Sequence, residues 1–115
     1  ALHELAAASG VRLAFERERF PVARGVREIC DAFGIDPWVS SSEGTVLLSV
    51  RPDGVATVLD ALAAEGIDAA AVGDVRAGGG VLLDGDPLAE PTRDPLWGAY
   101  EAGKERYGVQ IGWDA

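Results

Sequence analysis

Three times along the chain, apolar residues at helical spacing run into a glycine. Leu2, Leu5 and Ala6 share one face and meet Gly10. Val22, Val26, Ile29, Cys30 and Phe33 make a stripe that stops at Gly34, and Val55, Val58, Leu59 and Leu62 make a third that ends at Gly66. Helices end readily where one residue turns left-handed, and glycine takes that conformation without a Cβ clash. Runs of another period lie between these stripes. Val11, Leu13 and Phe15 alternate with Arg12, Ala14 and Glu16, the two-residue period of a strand with one buried face. Thr45 to Val50 is almost continuously apolar and reads as a central strand covered on more than one face. Asp68 to Val75 reads as another strand, with Gly73 a bulge or a point of close backbone approach. Gly78-Gly79-Gly80 reads as a hairpin turn into Val81-Leu82-Leu83, and Gly85-Asp86-Pro87 as a turn. Asp94-Pro95 caps a last helix carrying Leu96, Trp97, Tyr100 and Tyr107. Strand 45–50, helix 53–65 and strand 69–76 suit a crossover beside an antiparallel pair, which predicts an α+β sandwich.

Length and charge narrow the class of protein. The 115 residues are enough for one domain, read as a single unit over 1–115, with an ordinary 48% hydrophobic composition. No apolar run approaches a membrane span, and no basic segment followed by an apolar run marks a signal peptide. A formal charge of −9 argues against a nucleic-acid partner, since phosphate binding needs a basic patch. One cysteine forms no internal disulfide, so the expected setting is the cytoplasm, with neither nucleic acid nor membrane as partner. The chain contains no Met and opens on Ala1 inside a helical pattern, which points to a piece of a longer protein. It has no Asn and one Lys, Lys104; a high-GC genome or a halophile accounts for that bias.

Few residues carry chemistry. Gly73 to Gly80 matches neither a dinucleotide fingerprint nor a phosphate loop, because no Lys-Ser/Thr follows and a strand comes next. Asp84-Gly85-Asp86 lacks the downstream ligands of a calcium loop. His3 is the only histidine, so no zinc set or Ser-His-Asp triad is available, and a helix-surface place is its default. Cys30 lies on an apolar stripe with no cation set to stabilise a thiolate, which makes it a small buried hydrophobe. Glu16-Arg17-Glu18-Arg19 reads as solvated edge pairs. Ser41-Ser42-Glu43-Gly44-Thr45 stands apart. Its hydroxyls and N–H groups sit where a strand begins, and Gly44 lets a backbone or a phosphate come close. Glu43 is placed to accept a hydrogen bond from a nucleotide hydroxyl or to anchor a loop. A turn satisfying its own backbone is the equal alternative.

Leu2-His3-Glu4-Leu5 through Ser9-Gly10, Phe20-Pro21-Val22, Phe33-Gly34-Ile35-Asp36-Pro37 and Ser42-Glu43-Gly44-Thr45 occur in the order of the C-terminal domain of the AIR synthase superfamily. Ala71-Val72-Gly73-Asp74-Val75 is similar to that family's closing strand. The resemblance covers roughly residues 1–84. It implies a partly ferredoxin-like, three-layer α/β/α sandwich with a mixed sheet, packed beside an N-terminal ATP-binding domain that this sequence lacks. It also implies ATP and Mg as cofactors of the full-length protein, homodimerisation, and Ser42, Glu43, Gly44 and Thr45 as residues at the nucleotide cleft. The catalytic and metal-binding residues belong to the N-terminal domain, so the chain alone is expected to be inactive. The pairing of Gly34-Ile35-Asp36-Pro37 with Ser42-Glu43-Gly44 resembles the hydrogenase-maturation branch, which adds a maturation factor as a partner. That branch ends in a Cys-terminated tail that accepts a carbamoyl group. Here the sequence ends Ile111-Gly112-Trp113-Asp114-Ala115. A non-catalytic binding or regulatory module on the same scaffold is the other reading.

Overall fold

The computed structural model describes residues 1–108. The terminal Ile111-Gly112-Trp113-Asp114-Ala115, compared above with a Cys-terminated tail, lies outside them. The chain forms two compact units, one of Ala1–Pro21 with Val46–Glu90, the other of Val22–Thr45 with Pro91–Ala115.

The first unit opens with helix α1 (Leu2–Ser9), closed by Gly10 at φ 63° with its N–H on the carbonyls of Ala6 and Ala7. Strand β1 (Val11–Phe15) follows directly. Helix α3 (Val55–Ala64) comes much later, after a short 3₁₀ turn at Pro52–Gly54, then strands β2 (Gly73–Ala77), β3 (Gly80–Leu83) and β4 (Asp86–Pro87). The sheet is mixed, in the order β2-β1-β3-β4, so the fold is α+β as the element order implied. β1 runs antiparallel to β2, with Leu13 opposite Val75, and parallel to β3, with Leu13 opposite Val81. The core is small: Ala6 of α1 meets Leu13 and Val81, with Leu2, Leu5, Val11, Phe15 and Leu88 packed around them. The even-period reading of β1 holds because Leu13 points into this cluster and is 4% exposed.

Several expectations change, among them the strand read over Asp68 to Val75, which pairs only from Gly73 onward. Thr45 to Val50 is not a strand: these residues make no ladder, and Val46 and Leu48 are 75% and 60% exposed. Continuous apolarity signals strand propensity, but a central strand needs a free edge on each side to pair with, and the two inner places here belong to β1 and β3. A further change concerns Gly78-Gly79. β2 and β3 follow each other in sequence yet do not pair, because β1 lies between them. The link must cross two strand spacings, about 9.6 Å. Three Cα–Cα steps reach about 11.4 Å, so the link is stretched and is not a hairpin. Arg12 holds it, with Nε donating to the Gly79 carbonyl at 3.0 Å and the guanidinium lying where a Cβ on Gly78 would meet it at 3.4 Å. The true hairpin joins β3 to β4 through Asp84 and Gly85, both at positive φ (54° and 88°), the signature of a two-residue turn of primed type. Asp86 and Pro87 are therefore strand, not turn. Gly73 is a close approach as expected, since a Cβ there would sit on the Ala14 carbonyl oxygen.

The second unit holds helices α2 (Arg24–Phe33) and α4 (Pro95–Tyr107) and the loop after α2. Gly34 closes α2 at φ 64°. Cys30 is half-buried on α2, not buried as its stripe suggested. Ile29 and Phe33, which the stripe reading sent to the core, are 60% and 57% exposed. Together with Ile35 and with Leu96, Tyr100 and Tyr107 of α4 they line an apolar groove of about 420 Å³. No helix among the described residues is long and apolar enough to cross a membrane.

Candidate functional site

Loop 35–45 is built from short polar contacts. The Asp36 carboxylate accepts from the Trp38 N–H at 3.0 Å, and the Asp36 carbonyl accepts from Val39 N–H and from the Ser40 hydroxyl. An aspartate closing a turn two residues on is a local preference of the side chain, so this half of the loop is sequence-encoded. The Ser42 and Thr45 hydroxyls lie 2.6 Å apart and bond to each other across the turn. Gly44 stands between them at φ 78°, a left-handed position that favours glycine, with open space where its Cβ would be. The turn therefore brings Ser42, Glu43, Gly44 and Thr45 together, and all four are exposed. Glu43 makes no hydrogen bond or ion pair among the described residues.

A residue that sequence reasoning treated only as a helix cap completes the loop. Asp94 caps α4 by accepting the Leu96 N–H on Oδ1 at 2.9 Å, and its Oδ2 accepts the Ser41 N–H at 2.8 Å. These two bonds, Leu96 first, hold its carboxyl below its ordinary value. The available signal was stoichiometric: a capping carboxylate has two oxygens and the cap needs one.

This donor and acceptor set decides what the loop can hold. The Ser41 N–H goes to Asp94, one proton of the Ser42–Thr45 hydroxyl pair is spent within the pair, and the carboxylates of Asp36, Glu43 and Asp94 are negative, while the neighbouring Arg93 pairs with Glu101. A phosphate is poorly served by such a surface, whereas a hydroxyl or other donor suits Glu43. Among the described residues no group of three or more His, Cys, Asp or Glu is placed to hold a metal ion. The described residues of this chain thus offer Mg no set of three carboxylate ligands, and the turn's carboxylates repel a triphosphate.

The remaining candidates are structural. Arg17 pairs with Asp84 at 3.0 Å and Arg19 with Glu16 at 2.9 Å, both about half-exposed, contacts worth at most about 1 kcal/mol each. His3 is half-buried, and its Nε2 is covered with no hydrogen-bond partner among the described residues, which corrects its expected place on the helix surface.

Comparison with known proteins adds to this geometry. Residues 1–86 match the C-terminal domain of AIR synthase related proteins. The chain is 35% identical over 86 residues to carbamoyl dehydratase HypE of Escherichia coli, covering 73% of this chain and 26% of that protein. It is 31% identical over 62 residues to the hydrogenase expression/formation protein MJ0676 of Methanocaldococcus jannaschii, covering 54% of this chain and 18% of that one. The crystal structure of E. coli HypE, a hydrogenase maturation protein, superposes with a TM-score of 0.74 at 33% identity, over 83% of this chain and 32% of that chain. The chain thus spans about a third or less of the length of each.

Proposed function

The chain belongs to the AIR synthase related proteins, as their C-terminal domain, and from that membership we propose that it serves a hydrogenase maturation protein of the HypE kind by helping to close a nucleotide cleft. The ATP site, its Mg and the chemistry of phosphoryl transfer fall to an N-terminal domain in this reading. Dimerisation and contact with a maturation factor fall to the full-length protein. What this chain supplies is a wall of the cleft.

The observation that carries the reading is Glu43. It is an exposed carboxylate without a hydrogen-bond or ion-pair partner among the described residues, on a turn where the Ser41 N–H and the Ser42–Thr45 hydroxyl pair are engaged. Such a group is an acceptor waiting for a donor, and a nucleotide sugar offers two hydroxyls. Apolar residues left exposed on Val46, Leu48, Ile29 and Phe33 support a domain that packs against more protein.

The test uses the full-length protein. Glu43→Gln keeps an acceptor but loses its charge, and is expected to weaken ATP binding about fivefold to tenfold, the difference between a charged and a neutral hydrogen bond. The same substitution should leave binding of an ATP analogue lacking both ribose hydroxyls unchanged. Equal ATP affinity in Glu43→Gln and wild type would remove the nucleotide role and leave the loop as a self-satisfied turn on a non-catalytic module. The 115-residue chain by itself is expected to hydrolyse ATP no faster than buffer.

A further inference from the structure

The Ser41–Thr45 turn is held from outside its own stretch of chain. Asp36 organises residues up to Ser40, and the Ser42–Thr45 pair closes the turn itself. Between these two sets stands Ser41, whose N–H goes to Asp94, 53 positions later. Asp94 is also the first residue of α4, where Oδ1 takes the Leu96 N–H and the carbonyl takes the Trp97 N–H at 3.2 Å. One carboxylate therefore spends one oxygen on the helix and the other on the loop. Residues 87–108, α4 among them, lie beyond the stretch that matches the family.

We propose that Asp94 is the positioning residue of the Ser41–Thr45 turn, coupling the folded N-terminus of α4 to the presentation of Glu43. The helix supplies the fixed point. Asp94 is set in place by its own cap and by Pro95, which fixes the first helical residue. From there Oδ2 pins the backbone two residues before Glu43. A single hydrogen bond to a carboxylate, placed next to a glycine turn, removes the freedom that Gly44 would otherwise give the loop. That Glu43 then meets a nucleotide rests on the reading above; the coupling of loop to helix does not.

Asn and Ser are good N-caps, so Asp94→Asn and Asp94→Ser keep the helix. An asparagine that caps through its carbonyl turns an amide N–H₂ toward Ser41, and a serine has no second oxygen. In the full-length protein both variants are expected to speed amide exchange at residues 41–45 at least fivefold, while α4 amides stay as in wild type. Unchanged exchange at 41–45, or a rise shared equally by α4, would overturn the proposal and leave Asp94 a cap only. ATP affinity supplies a readout that a mere cap would not move. Asp94→Asn should lower it as far as Glu43→Gln does, and the double variant no further. A loosened loop with full ATP affinity would uphold the coupling and overturn the nucleotide role of Glu43.

Discussion

At the scale of single residues, one carboxylate has a pH dependence with a fixed sign. The Leu96 and Ser41 N–H bonds lower the Asp94 pKa below its ordinary 3.8, so the folded state favours the charged form. The stability it contributes is present above 3.8 and is lost as pH falls through the depressed folded value. The Ser41 amide proton shift should therefore titrate only in acid below 3.8, and should lose that titration in Asp94→Asn. Gly73 is the other residue with a defined consequence. A Cβ there collides with the Ala14 carbonyl, which is backbone and cannot rotate away. Gly73→Ala should destabilise the chain by about 2 kcal/mol or more, read in urea unfolding. The site was partly legible from sequence for a physical reason. Ser42, Glu43, Gly44 and Thr45 meet through contacts three residues long, whereas the Ser41–Asp94 bond joins distant positions and leaves no local trace.

At the scale of elements, the helix ends were legible and the strand pairing was not. Gly10, Gly34 and Gly66 all stand at φ between 63° and 70°, as their places after apolar stripes required. Capping is decided within one turn of helix. Pairing is decided by whichever edge is free, so the strongly apolar 45–50 run lost the central place to the shorter, alternating β1. Leu13 in that strand is the test. Leu13→Ala should cost about 2–4 kcal/mol, because it empties the contact between Ala6 and Val81. Val46→Thr and Leu48→Thr should change the stability of the 115-residue chain by less than about 0.5 kcal/mol, given their exposure. In the full-length protein the same pair should cost several times more if that segment is covered there.

At the scale of the whole molecule, the pattern of apolar surface is unusual. Four hydrophobic residues are buried, Ala6, Leu13, Val81 and Leu83, while ten large ones among the described residues are exposed. Large apolar side chains uncovered in such number accord with a surface that further protein covers, as proposed above. It should bind an apolar fluorescent dye strongly by itself and weakly in the full-length protein. The threading of the sheet has a kinetic consequence of its own. β1 is made first, but both its neighbours lie some sixty residues later, and they are joined to each other across it by two glycines. Closing so long a loop is slow, and no β2–β3 hairpin exists to serve as a local seed. On the ribosome, Leu13 stays without a strand partner until β2 has emerged, and without its second until β3 has. Pulse-labelled exchange should accordingly show β1, β2 and β3 gaining protection together in one late step.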